Sequence, residues 1–112
     1  GGRRLCIDYR RLNKVTVRER TAPPRIEEVM DTLSTARIFT TLDLRSGYWQ
    51  LPTAPESQKK TAFITCFGQY QWKVMPFGLK NAPAAFIRYL TDVLFDLINE
   101  CVVLYVDDIL IY

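Results

Sequence analysis

Two adjacent aspartates, Asp107 and Asp108, interrupt an otherwise apolar run, Cys101-Val102-Val103-Leu104-Tyr105-Val106-Asp107-Asp108-Ile109-Leu110-Ile111-Tyr112. Like charges about 4 Å apart repel by roughly 4 kcal/mol at an effective dielectric of about 20. Removal from water adds to that cost. A cation offsets it, so the run reads as a β-hairpin whose tip, the Val106-Asp107 pair, presents carboxylates to a metal. Such a tip needs a positive φ at Val106, which is costly for a β-branched residue. A third acid, Asp43, ends another apolar segment just before the turn residues Ser46-Gly47. Taken alone, Asp43 reads as readily as a turn or cap residue. Taken with the pair, the three carboxylates converge at neighbouring strand ends, within about 8 Å, and hold two divalent cations. Two such ions clamp the attacking and leaving oxygens of an in-line phosphoryl transfer. Oxygen ligands of this kind suit magnesium, with manganese as a substitute.

The elements that must position these acids can be read from periodicity. Leu5 to Asp8 reads as a short strand before a basic loop, and Thr21-Ala22-Pro23-Pro24 breaks the chain. Ile26, Val29, Met30 and Leu33 recur at helical spacing, with Glu27 and Glu28 in the favourable first turn. Arg37 to Leu42 is rich in β-branched and aromatic residues and reads as a strand ending at Asp43. Tyr48 to Leu51 reads as a second short strand, stopped by Pro52. Lys60 to Thr65 and Gln69 to Val74 flank Phe67-Gly68 as a hairpin. Asn81 is placed as a helix N-cap, with Pro83 in the first turn. Phe86, Tyr89, Leu90, Val93, Leu94 and Leu97 then predict a helix from Ala82 to Ile98. Helices interleaved with hairpin-connected strands favour an α+β fold, a mixed or antiparallel sheet packed on helices.

The chain has 112 residues, which bounds it to one domain, and 48% hydrophobic and 12% aromatic content suffices for a core. The net charge of +3, with arginines gathered at Arg3, Arg4, Arg10, Arg11, Arg18 and Arg20, permits contact with phosphates and equally fits a solvated face. Cys6, Cys66 and Cys101 are far apart and there is no histidine, which argues against zinc and for reduced thiols in an intracellular protein. No apolar stretch reaches about 18 residues, and no signal peptide is visible, so no membrane partner is expected.

Four blocks in order then resemble one family. Tyr105-Val106-Asp107-Asp108 is similar to the polymerase signature of reverse transcriptases. Leu5-Cys6-Ile7-Asp8-Tyr9-Arg10-Arg11-Leu12-Asn13 resembles the block that precedes the palm. Phe39-Thr40-Thr41-Leu42-Asp43-Leu44-Arg45-Ser46-Gly47-Tyr48 resembles the first catalytic motif, and Val74-Met75-Pro76-Phe77-Gly78-Leu79-Lys80-Asn81-Ala82-Pro83 the second. The wording is closest to gypsy-type long-terminal-repeat retrotransposons, and the likeness runs along essentially the whole chain.

The resemblance implies an incomplete polymerase palm with part of the fingers over residues 1–112, without thumb or ribonuclease H. It implies Asp43 and Asp107 as principal metal ligands, Asp108 completing the cluster, and the Leu44 carbonyl joining one of two magnesium ions. Arg4 would bind the incoming triphosphate, as an always-charged bidentate guanidinium can. The family's usual aromatic residue just before that arginine is Arg3 here. Tyr48 would be the steric gate against a ribose 2′-hydroxyl, though by itself it reads as core. Phe77 and Gly78 would line the nucleotide pocket, Phe77 with contact area but no hydrogen bond. Lys59 and Lys60 would meet nucleic-acid phosphate or simply water. The implied partners are an RNA or DNA template, a nucleic-acid primer and deoxynucleoside triphosphates, in a cytoplasmic particle of the element with access to the nucleus. The segment alone is expected to be inactive. Two rival readings stand beside it: a catalytically dead element remnant, and a simple RNA-binding module with a four-stranded sheet offering Tyr70 and Trp72 for base stacking.

Overall fold

The computed structural model describes residues 5–20, 25–98, 100–105 and 108–112. The chain divides into two compact units, one of residues 1–19 and 48–82, the other of residues 20–47 and 83–112.

Residues Leu5–Asp8 form no regular element where a strand was expected. Helix α1, Arg10–Val15, then replaces the expected basic loop. Local hydrogen bonding explains it: the Asp8 carboxylate accepts the Arg10 N–H at 3.0 Å, and Asn13 N–H donates to the Tyr9 carbonyl at 2.8 Å. Tyr48 lies in a 3₁₀ turn, Gly47–Gln50, where a strand was expected. Strand-like pairing starts only afterwards, where Met75 N–H donates to the Leu51 carbonyl and Thr53 N–H to the Lys73 carbonyl, both at 2.8 Å. A short helical turn over Pro55–Gln58 runs into a 3₁₀ turn, Lys59–Thr61, neither of which the sequence reading includes. The predicted hairpin is present but shorter, Phe63–Thr65 against Gly68–Tyr70, with Cys66-Phe67 as its connection. Its core holds Tyr9, Met75 and Pro76, and the Tyr9 hydroxyl donates to the Thr61 carbonyl at 2.9 Å. Burial pushes the Tyr9 hydroxyl above its ordinary pKa.

The second unit holds the helix Ile26–Leu33, as the apolar spacing predicts. The Glu28 carboxylate accepts the Arg25 N–H at 3.4 Å, half of a capping box. Three antiparallel strands follow: β1 Thr40–Asp43, β4 Val102–Tyr105 and β5 Asp108–Ile111, in the order β1-β5-β4. The hairpin strands of the first unit are β2 and β3. The sheets are therefore antiparallel, not mixed, and no four-stranded sheet forms among the described residues. Strand β1 begins at Thr40 rather than Arg37, and Ile38 and Phe39 are exposed. The long helix runs Ala82–Val93, five residues short of the expectation in turns over 94–97. Its buried Ala82, Phe86 and Leu90 recur every four residues, one helical face, while Tyr89 and Val93 are exposed. Val102, Val103 and Ile109 are the buried residues of the sheet.

Candidate active site

The register of the sheet decides what the acids can do. Asp43 is the cross-strand partner of Asp108, and Tyr105 pairs with Asp108 from the other side. Directly opposed residues of an antiparallel pair lie about 4.5–5.5 Å apart at Cα and project on the same face. Asp43, Asp108 and Tyr105 thus form one row across three strands, and alternation adds Thr41, Leu110 and Val103 to that face. The opposite face carries Leu42, Ile109 and Leu104.

Pairing of Tyr105 with Asp108 leaves residues 106 and 107 as the whole connection between β4 and β5, the length expected. Val106 and Asp107 themselves lie outside the described residues, and so does Arg4. The expected φ of Val106 and the place of the third carboxylate are therefore not part of the described geometry.

Asp43 and Asp108 are both exposed, so the desolvation penalty expected from their apolar neighbours does not apply to them. What remains is mutual repulsion, since like charges directly opposite destabilise a sheet. Among the described residues neither has a cationic side chain within ion-pair distance. Two described carboxylates come together here, and no group of three metal-binding side chains does so among the described residues.

The Leu44 carbonyl accepts the Gly47 N–H at 3.1 Å, closing a turn directly after Asp43. A carbonyl oxygen has a second lone pair, so it keeps one position for a ligand. Ser46, third residue of that turn, has φ 68°, a left-handed conformation that an L side chain adopts at a cost. A groove of about 550 Å³ runs along the acid-bearing face, lined by Ile26, Val29, Thr41, Tyr105, Asp108 and Leu110. Nothing in the local sequence of Ile26 or Val29 announces that they border this face.

In the first unit two of the expected nucleotide residues, Tyr48 and Phe77, come together. The ring of Tyr48 lies against that of Phe77, centroids 5.1 Å apart. Phe77 also meets Trp49 edge-on at 5.5 Å, and Trp49 stacks on Trp72 at 6.0 Å. Each such pair contributes about 0.5–1.5 kcal/mol beyond burial. Trp72 is thus tied into an aromatic cluster, outside any strand, and is not presented for base stacking as the RNA-binding reading supposed. Gly78 has φ 93°, and a Cβ there would find only ordinary contacts, nearest the Ile7 carbonyl at 3.5 Å. Its glycine is required by backbone conformation, not by crowding within the chain. Lys59 and Lys60 are exposed in their 3₁₀ turn.

Sequence reasoning missed the fastening of this loop. Asn81 immediately precedes the long helix, at the position expected for its cap. Its Oδ1 also accepts the Glu19 N–H at 3.1 Å, and its Nδ2 donates to the Val17 carbonyl at 2.9 Å. The Lys80 ammonium donates to the carbonyls of Asn13 and Thr16, at 3.1 and 2.9 Å, where a cation suits the C-terminal end of α1. These partners are more than sixty residues away in sequence, so no local pattern signals them.

Comparison with known proteins agrees with this architecture. The chain is 45% identical over 109 residues to an RNA-directed DNA polymerase homolog of Oenothera berteroana, covering 97% of this chain and 77% of that protein. It is 43% identical over 110 residues to the retrovirus-related Pol polyprotein from transposon gypsy of Drosophila melanogaster, covering 98% of this chain but only 11% of the polyprotein. A foamy viral protease-reverse transcriptase solved in complex with double-stranded DNA superposes with a TM-score of 0.82 at 30% identity, over 97% of this chain and 19% of that one. The family model described as reverse transcriptase (RNA-dependent DNA polymerase) matches residues 1–112, and the chain belongs to that family.

Proposed function

We propose that this segment supplies metal-binding and nucleotide-binding residues to an RNA-directed DNA polymerase within a retrotransposon polyprotein. The reaction joins a deoxynucleotide to a primer: the 3′-hydroxyl oxygen attacks the α-phosphorus, and pyrophosphate leaves. The observation that carries this reading is the pairing of Asp43 with Asp108 at the end of β5 that adjoins Asp107. Two exposed, opposed carboxylates with no cationic side chain in ion-pair distance among the described residues fit hard divalent cations, as does the second lone pair of the Leu44 carbonyl. Magnesium held by Asp43, Asp107, Asp108 and that carbonyl would supply positive charge against the negative charge developing on the reacting phosphate.

The other roles fall to the chain's own side chains. Arg4 holds the triphosphate through a bidentate guanidinium. Tyr48, braced by Phe77, blocks a ribose 2′-hydroxyl, and Phe77 offers the nucleotide contact area without a hydrogen bond. Gly78 exposes its backbone to nucleotide or template. Lys59 and Lys60 meet phosphates of a template that is RNA or DNA. Double-stranded DNA bound to the solved foamy viral relative supports a nucleic-acid partner.

The test is primer extension on an RNA template by the polymerase that carries this segment, with magnesium or manganese. Extension that survives Asp43→Asn or Asp108→Asn undiminished sinks the metal assignment. Tyr48→Ala should raise ribonucleotide use relative to deoxyribonucleotide use, and unchanged discrimination would refute the gate.

A further inference from the structure

One loop of the first unit is held at both ends by a single amide. Asn13 Nδ2 donates to the Gly78 carbonyl at 2.8 Å, and Asn13 Oδ1 accepts the Lys80 N–H at 2.8 Å. The amide therefore brackets Leu79 and fixes the path of the chain on either side of it. Gly78, at φ 93°, allows its carbonyl this orientation. Phe77 directly precedes the bracket and carries the ring that braces Tyr48.

We infer that Asn13 is a positioning residue for the incoming nucleotide: by bracketing the loop 78–80 it sets where Phe77 and Gly78 stand. The inference rests on the proposed reading of Tyr48, Phe77 and Gly78 as nucleotide-pocket residues. Asparagine suits the role because one small planar group offers a donor and an acceptor together. Aspartate keeps the acceptor but sets a second oxygen against the Gly78 carbonyl. Leucine keeps the approximate volume and supplies neither bond. Reactions of this class depend on placement, and a shift of about 1 Å can cost about 100-fold in rate.

The experiment is steady-state incorporation of a single deoxynucleotide by the polymerase carrying this segment, with Asn13→Asp, Asn13→Leu, Lys80→Met and Tyr48→Ala forms side by side. Primer–template affinity and thermal unfolding are measured on the same samples. Asn13→Asp is expected to raise the deoxynucleotide KM about tenfold, with kcat changed less than about threefold and primer–template affinity unchanged. Lys80→Met removes the ammonium contacts but leaves the backbone N–H that Asn13 holds. It should lower the melting temperature yet leave KM within about twofold. If Asn13→Leu fails to fold, Asn13→Asp with its intact acceptor still decides the matter. An Asn13→Asp enzyme whose nucleotide KM is unchanged, or one whose KM rises no more than that of Lys80→Met at equal loss of melting temperature, overturns the inference. Altered sugar discrimination in Tyr48→Ala with no KM effect at Asn13 sinks this inference alone. Unaltered discrimination in Tyr48→Ala sinks the pocket reading beneath it.

Discussion

Asp43 and Asp108 stand on a backbone ladder, exposed and opposed, while Gly78 and Lys80 are fastened by the side chain of Asn13 from 65 and 67 residues away. In the first region the strands would pair as well with other side chains at those two positions. The acids contribute repulsion rather than cohesion. In the second region the conformation itself depends on particular residues, a glycine at positive φ and an amide with both donor and acceptor. Residues kept against local stability point to chemistry, whereas residues that secure a loop point to placement. The two regions should therefore respond to mutation in opposite ways.

The largest effect is expected at the acids. In the polymerase carrying this segment, Asp43→Asn or Asp108→Asn should lower primer extension by at least about 100-fold. Stability should hold or rise by about 0.2–1 kcal/mol as like-charge repulsion is relieved. Extension assays paired with denaturant unfolding check both halves. Loss of stability with loss of activity would erase the contrast between the regions.

Next comes the loop. Gly78→Ala forces an L side chain into a left-handed backbone and should destabilise by about 1–2 kcal/mol. Unfolding midpoints measure this, and a neutral result would mean the loop changes conformation freely. Ser46→Gly, in the turn after Asp43, should do the reverse. Relief of a left-handed conformation outweighs the added flexibility of the unfolded chain, for a gain of about 0.5–1 kcal/mol. An unchanged or lowered midpoint would show that the serine is not strained there.

The smallest effect concerns Asp8. Its carboxylate accepts hydrogen bonds from Arg10, with Nη2 2.6 Å away, and these hold its pKa down to about 2. A depressed carboxylate contributes stability above its ordinary pKa and loses that contribution as pH falls toward the folded value. The window thus runs from the usual carboxylate range down to about 2. Both groups are exposed, so the thermodynamic consequence is small. Carboxyl titration followed by NMR should show Asp8 moving up toward the ordinary range in Arg10→Ala, while the backbone N–H at position 10, which the substitution keeps, still holds it somewhat low. A carboxylate that does not rise at all would assign the shift to a cause other than the guanidinium.

Much of this was legible in the chain. The helix Ile26–Leu33, the β4–β5 hairpin with its two-residue connection, and the end of β1 at Asp43 follow from local periodicity and turn chemistry. The motif order also carried the family. Local patterns misread the stretches whose shape depends on hydrogen bonds made at particular positions. Arg10–Val15 became a helix behind the Asp8 carboxylate, and Tyr48 entered a 3₁₀ turn behind the left-handed Ser46 and Gly47.

The sequence by itself determined which residues can do chemistry, because carboxylates, arginines and aromatics keep their properties wherever they lie. It also determined that Asp43 ends a strand, since β-branched and aromatic content and a following turn are local. Only the tertiary structure decided that Asp43 faces Asp108, because register is a choice between strands far apart in the chain, and a one-residue slip would send one of the acids to the other face. It alone decided that Asn13 brackets Gly78 and Lys80, and that Asn81 holds the segment at Val17 and Glu19. An amide bonds to whichever backbone groups folding brings within about 3 Å, and no local pattern encodes that meeting.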